Sequence, residues 1–362
     1  MQPYFSEQFY NPSSPYAPAV QVRRDFEEAK HTLAMAIGAR ADDIIMTAGA
    51  TESINLAMTA AADGHIVSSA IEHHAVLHAA EQYEHTFVKV ERSGIVIPDA
   101  VRAAITPQTK LVSIALANNE VGTIQPLREI SLIVQQERAR RQEAGDRTPI
   151  WLHSDASQGV GQIDVNVARL GVDLLTINAA KCYGPKQVGL LWRAPRVELL
   201  PLVYGGGQEM NLRSGTENVA GTIGFAAALK ETTDKRKSES HRLALLRDKL
   251  EMMLTTGCKE LQVTIPGKKR LPGSLHVSIP GIDAERLVFL LEAKNVLVAT
   301  GSACAANSNT RSHVLEAIGL SPAEADGSLR LTLGRQTTET MIEQGAQAIL
   351  DAIASEQERQ RR

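Results

Sequence analysis

Seven short runs rich in β-branched and aliphatic residues recur through the first half of the chain: DIIMTAG, GHIVSSA, TFVKV, KLVSIAL, PIWLHSD, VDLLTIN and VGLLW. Most are followed by a longer stretch with amphipathic helical spacing. This alternation leaves few ways to fold. Strands separated by helices that return to the same edge build a mostly parallel sheet with helices on both faces, so the expected large domain is α/β. After about residue 235 the texture changes. A charged helix, DKRKSESHRLALLRDKLEMML, leads into GSLHVSIP, a helix from Asp283, a strand VLVAT, a further helix, SLRLTLG and a terminal helix. That succession reads as a smaller α+β domain. The expected division is residues 12–235 for the large domain and 236–362, together with 1–11, for the small one.

At 362 residues, 43% hydrophobic and 22% charged, the chain is long enough for two domains, and its net charge of −3 argues against a polyanion binder. No direct nucleic-acid partner is expected. No apolar run approaches the roughly 20 residues of a membrane span, and the start MQPYFSEQFYNPSSPY lacks the basic end and apolar core of a secretory signal. The cytoplasm is the expected compartment, without membrane contact. Three cysteines, Cys182, Cys258 and Cys304, are an odd number with no CxxC pair, which argues against a disulfide framework and against a zinc site. No metal is expected, and at least one thiol must be free.

In open α/β sheets, ligands gather beyond the carboxyl ends of the strands. In LLTINAAKCYGPKQVGLLW one such end delivers Lys181, either a solvated charge or a lysine that forms a Schiff base with a carbonyl cofactor. Position alone does not choose. In MTAGATESINLAM a helix starts at Ala50-Thr51, where free N–H groups and a hydroxyl suit a phosphate; a capped turn explains the same residues. PIWLHSD ends in Asp155, with Gln158 three residues on. Asp155 either caps a helix or pairs with a protonated pyridine nitrogen. SAIEHHAVL supplies Glu72, His73 and His74, of which one histidine can face a site. LANNEVG brings Asn118, Asn119 and Glu120, each explicable by turn chemistry. Turn chemistry does not explain why four strand ends carry Thr, His, Asn and Asp while a fifth carries Lys181.

That ordered set resembles the fold-type I enzymes that use pyridoxal 5'-phosphate and, more narrowly, the cysteine desulfurases of the class V aminotransferase superfamily. The matching phrases are TAGATESINLA, EHHAVL, NNEVGTIQ, HSDASQGVG, KCYGPKQVGLLW, GGGQEMNLRSGTENV, TGSAC and LRLTLGRQTT, in family order from about residue 5 to residue 340. The resemblance implies a large domain with a mostly parallel seven-stranded sheet and a smaller α+β C-terminal domain carrying a catalytic cysteine loop. It implies that Lys181 holds the cofactor, Asp155 pairs with its ring nitrogen and Gln158 bonds its ring oxygen. His73 would stack on the ring and move protons. Ala50 and Thr51 would bind the phosphate, and Thr216 would reach the phosphate of the neighbouring subunit of a homodimer. Asn119 and Arg330 would hold the carboxylate of L-cysteine. Cys304 would take the sulfur as a persulfide, leave alanine, and pass the sulfur to an acceptor protein, either an iron–sulfur scaffold or a sulfur carrier.

GSACAANSN, around Cys304, is small and polar without periodicity and reads as a mobile loop, whereas Cys182 and Cys258 read as structural. One departure stands out. Relatives usually have Ser and His in the three residues before the lysine, where this chain has Asn178, Ala179 and Ala180. Asn178 still offers one hydrogen bond toward the cofactor. Two other readings stay open: a different lyase or aminotransferase on the same frame, such as a selenocysteine or cysteine-sulfinate lyase in which Cys304 is dispensable, and a degenerate non-catalytic paralogue serving as a partner subunit.

Overall fold

The structure is a computed structural model that describes residues 1–267, 269–301 and 311–361. The chain divides into two compact units: Met1–Val88, Ile97–Leu116 and Gln125–Arg236 make the first, and Lys89–Val96, Ala117–Ile124 and Lys237–Arg362 the second.

The first unit is built on β1 (Ile44–Thr47), β2 (His65–Ser69), β3 (His85–Val88), β4 (Thr109–Ser113), β5 (Trp151–Asp155), β6 (Leu174–Asn178) and β7 (Gly189–Arg193). These are the seven runs read from the sequence, in one sheet ordered β1-β7-β6-β5-β4-β2-β3. The pairs β2/β3, β2/β4, β4/β5 and β5/β6 are parallel. Only β7 runs the other way, antiparallel to both β6 and β1. β1 and β2 are buried at every residue, so neither shows the alternation of a half-exposed strand; β2 buries the polar His65, Ser68 and Ser69 along with Ile66 and Val67. Reversal of β7 has a consequence for the edge. Its first residue, Gly189, pairs with Asn178 at the end of β6 and with Thr47 at the end of β1, so it lies among the carboxyl ends of its neighbours.

The second unit holds an antiparallel sheet ordered β10-β9-β8, with β8 at Gln262–Val263, β9 at Ser274–Ser278 and β10 at Ser328–Thr332. Strand period 2 sorts its side chains: Leu275, Val277, Leu329 and Leu331 enter a core with Leu287, Leu291, Ile349 and Ile353. Each such side chain contributes about 1.5–3 kcal/mol by leaving water. The same alternation puts His276 and Arg330 on the opposite face, where they are cross-strand partners.

Three expectations are corrected. Residues 1–11 belong with the first unit, because the Tyr4 hydroxyl donates to Asp25 on the helix Ala17–Ile37 and Met1 packs against the helical Gly224. Residues 89–96 and 117–124, placed by sequence in the large domain, belong with the second: Thr123 bridges Arg270, and its hydroxyl donates to the Ser93 carbonyl. VLVAT is not a strand. Only Ala299 pairs, as an isolated bridge to Arg330, and Leu297 is 82% exposed, so that run has no second face to bury. The charged helix is the later part of a longer one, Val219–Gly257, whose residues up to 236 lie in the first unit and the rest in the second.

Candidate active site

The carboxyl edge of the first unit's sheet collects the residues singled out by sequence. After β1 the chain turns through Gly49, whose φ of 137° disfavours side-chain-bearing residues, into the helix Ala50–Met58. A Cβ on Gly189 would sit 2.7 Å from the Gly49 backbone, so glycine at both positions lets β7 pass directly beside the helix start. The backbone N–H groups of Ala50 and Thr51, and the exposed Thr51 hydroxyl, have no acceptor among the described residues. Helix N-termini of this kind attract anions through those N–H groups and the helix dipole.

Asp155 ends β5. One of its oxygens, Oδ1, accepts from the Ser157 N–H at 2.9 Å; the other has no hydrogen-bond partner among the described residues. No helix begins here, so the helix-cap reading fails, and this i,i+2 turn contact engages only one of the two carboxylate oxygens. Gln158, half-buried, likewise keeps its side-chain amide without a partner there. Beyond β6, Asn178 caps a short 3-10 turn by accepting the Ala180 N–H at 3.1 Å, which leaves its amide N–H₂ to donate. Lys181 follows, exposed, with no ion pair or hydrogen bond among the described residues. Ala180 is exposed and carries no donor.

His73 caps the helix His74–Ala80: its Nδ1 accepts the Ala75 N–H at 3.0 Å, so the proton of the neutral ring sits on Nε2. His74 points elsewhere, stacked on His78 with centroids 5.4 Å apart. Beneath this edge runs a buried polar row. Ser68 donates to the Ser113 carbonyl, the Ser113 hydroxyl meets His153 Nδ1 at 2.8 Å, and His153 Nε2 meets the Thr176 hydroxyl at 3.0 Å. Burial pushes the His153 imidazole down to about 3, so it stays neutral. Thr216 is exposed and lines a cavity of about 200 Å³ with Ala48, Gln187 and Glu209.

The second unit brings Asn119 and Arg330 together, the Arg330 guanidinium donating to the Asn119 carbonyl at 3.4 Å. Burial lowers the Arg330 pKa, while the nearby Glu120 carboxylate raises it. His276, Arg330's cross-strand partner, is pushed down to about 3 by burial and by that cationic neighbour. Cys304 lies outside the described residues. Cys182 and Cys258 are both buried, as their structural reading requires. Among the described residues no group of three or more His, Cys, Asp and Glu could hold a metal, and no helix is long and apolar enough to cross a membrane.

Sequence reading quoted Glu72 without giving it a role. It is 2% exposed and accepts from the Ser69 hydroxyl at 2.6 Å and from the Ala115 N–H at 3.1 Å. Burial pushes its carboxyl up to about 7; those hydrogen bonds oppose the rise and the Asp155 charge adds to it. Its carboxyl in the unfolded chain titrates near 4.5, so its contribution to stability is fully present below that pH and is lost as pH rises through about 7. Relative to Glu72→Gln, the wild-type protein should lose up to on the order of 3 kcal/mol between pH 4.5 and 8. Urea unfolding of both proteins across that range checks it; a constant difference would mean that the carboxyl ionises normally.

The chain as a whole is similar to known proteins. The family described as "Aminotransferase class-V" matches residues 1–344. A protein named "Cysteine desulfurase IscS" from Dictyoglomus turgidum is 41% identical over 349 residues, covering 93% of this chain and 86% of the relative. Among solved structures, a "NifS-like protein" superimposes with a TM-score of 0.88 at 30% identity over 98% of this chain and 94% of that one. Another, "SspA in complex with cysteine", does so at 0.77 and 30% identity, covering 92% and 93%.

Proposed function

Because this chain belongs to the class-V aminotransferase family and, within it, to the cysteine desulfurases, we propose that it is a pyridoxal 5'-phosphate-dependent enzyme that takes sulfur from L-cysteine. The observation that carries this reading is the set of groups left open at one sheet edge: the Lys181 amine, the second oxygen of Asp155, the Gln158 amide and the helix-start N–H groups of Ala50 and Thr51. A phosphorylated pyridine bearing a carbonyl and a ring oxygen needs those partners, so the residues present fit the cofactor. Where relatives carry Ser and His before the lysine, this chain's Ala179 and Ala180 offer no side-chain donor, and the amide N–H₂ of Asn178 supplies one.

Lys181 would hold the cofactor covalently, with Asp155 on its ring nitrogen, Gln158 on its ring oxygen, His73 over its ring and Ala50 with Thr51 on its phosphate. Bound there, the group supplies an electron sink beside the amino acid's Cα. The remaining work falls to the protein. Arg330 and Asn119 bind the substrate carboxylate, the guanidinium supplying a planar fork of donors. Lys181 Nζ moves the Cα proton, and His73 Nε2, the ring nitrogen not used in capping, is the second proton carrier. Cys304 attacks the substrate sulfur as thiolate. The carbon–sulfur bond breaks, a sulfur–sulfur bond forms, and one L-cysteine plus one enzyme thiol give one L-alanine plus one enzyme persulfide. The finding that one structural neighbour was solved in complex with cysteine supports the choice of substrate.

The working enzyme is read as a cytoplasmic homodimer in which Thr216 serves the neighbouring subunit's phosphate, and which hands sulfur to an iron–sulfur scaffold or sulfur-carrier protein. The test is to incubate the enzyme, loaded with pyridoxal 5'-phosphate, with L-cysteine. L-Alanine and a one-sulfur mass increase on the Cys304 peptide are expected in equal amounts before any acceptor or reductant is added. Release of pyruvate or of an oxidised sulfur species without a persulfide would favour the lyase alternative.

A further inference from the structure

Glu120 is one of the most deeply buried acids in the second unit, 2% exposed, and neither turn chemistry nor the proposed reaction gives it a task. Its place is set by a tight hairpin. Ala117 bridges Ile124, the Asn118 N–H donates to the Thr123 carbonyl, and Asn118 Oδ1 accepts the N–H groups of Glu120 and Val121. Gly122, with φ 77°, closes the turn against Ser274, the first residue of β9. The hairpin is thereby fastened to the sheet that carries Arg330.

From that fixed base the Glu120 carboxylate faces three things. The Ser312 hydroxyl donates to its Oε2 at 2.5 Å, a contact between residues 192 apart in sequence. Ser312 is itself buried, and its hydroxyl also caps the helix His313–Ala317 by accepting the Leu315 N–H. Gly301 is near the same oxygen: a Cβ built there would be at van der Waals distance, 3.6 Å, from Glu120 Oε2. The Arg330 guanidinium feels the carboxylate electrostatically. Gly301 and Ser312 stand on either side of residues 302–310, the stretch that contains Cys304. One buried oxygen therefore bonds the chain just after the thiol-bearing stretch and lies near it just before, beside the residue assigned to the substrate carboxylate.

We propose that Glu120 is a positioning residue for sulfur transfer, its carboxylate tethering Ser312 so that the chain following the Cys304 segment re-enters at a place fixed relative to Arg330. This rests on the desulfurase reading for the parts played by Cys304 and Arg330. The hydrogen bond from Ser312 to a charged, buried acceptor is of the stronger kind, and removing the acceptor leaves the buried O–H with nothing to donate to, although the oxygen still accepts the Leu315 N–H.

The experiment compares the full-length enzyme, loaded with pyridoxal 5'-phosphate, as wild type, Glu120→Ala and Glu120→Gln. Glutamine's amide oxygen can still accept from Ser312, whereas alanine cannot. Glu120→Ala should lower kcat for alanine release at least tenfold without raising KM for L-cysteine, because the guanidinium remains and loses a competing anion. Glu120→Gln should keep at least a third of the wild-type kcat. Iodoacetamide labelling of Cys304, followed by mass spectrometry without substrate, should change at least fivefold in Glu120→Ala and less than twofold in Glu120→Gln. If Glu120→Ala does not fold, Ser312→Ala removes the same hydrogen bond from the other side and should reproduce both effects. Wild-type labelling and kcat in Glu120→Ala would overturn the proposal, as would a raised KM with unchanged kcat, or a Glu120→Gln enzyme as impaired as the alanine variant. If even the wild type releases no alanine, the desulfurase reading fails, while the labelling comparison still decides whether Glu120 holds the segment.

Discussion

A Lys181→Ala protein incubated with pyridoxal 5'-phosphate is expected to hold no cofactor that borohydride can fix to the chain, and to release no measurable alanine from L-cysteine. Two functions disappear with this one amine: the covalent anchor of the cofactor and the base that moves the Cα proton. Neither has a substitute at the sheet edge. Asp155, Gln158 and the helix start at Ala50 remain in the variant and can hold the cofactor by hydrogen bonds alone, so weak, non-covalent binding that dialysis removes is part of the expectation. Lys186 is also exposed, five residues further on, beyond the Tyr183-Gly184-Pro185 turn. Borohydride reduction of the loaded wild type followed by peptide mapping separates the two lysines. The label belongs on Lys181; a label on Lys186, or a Lys181→Ala protein that is active, would overturn the assignment.

Cys304→Ser should bind L-cysteine, change absorbance with it, and yet release almost no alanine and carry no extra sulfur. Lys181, Asp155 and Arg330 are untouched by the change, so binding survives. Transfer fails because a serine hydroxyl is far less acidic than a thiol and is a poor nucleophile toward sulfur. The other two thiols cannot take over. Cys182 is fully buried and donates to the Ala179 carbonyl, and burial pushes the Cys258 thiol up, away from the reactive thiolate. Quantifying alanine and the sulfur-bearing peptide in wild type and variant decides the matter. Full alanine release by Cys304→Ser would sink the desulfurase reading and promote a lyase, in which the leaving group departs without a protein thiol.

Much of the candidate site was legible along the chain because its chemistry is local. Lys181, Asp155, His73 and the Ala50-Thr51 helix start each follow a short apolar strand directly, and a strand's end is marked by a change of composition within a few residues. Arg330, in the middle of the strand Ser328–Thr332, was singled out only by the family resemblance carried by LRLTLGRQTT. Glu72 and Glu120 were quoted in their motifs but given no task, since each looks like a turn residue until its long-range partners are known: Ala115 for Glu72, and Ser312 for Glu120. Nothing in the local pattern reports that the first becomes a buried acid titrating near neutrality.

Periodicity and composition alone determined that seven strands alternate with helices, that a second α+β unit follows, and which residues stand at the strand ends, because burial on one or both faces is written into each run by its own side chains. Only the tertiary structure decided which strands are neighbours. β1 and β7 are separated by more than a hundred residues, yet their pairing seats Gly189 against Gly49 and so allows the phosphate-suited helix start to lie beside the lysine-bearing end of β6. It likewise decided that the hairpin 117–124 belongs with β9 and β10, and that Met1 and Tyr4 pack on the first unit. A residue's own pattern records whether it is buried; what it is buried against is set by pairing between distant surfaces, and that information is shared between segments rather than carried by either one.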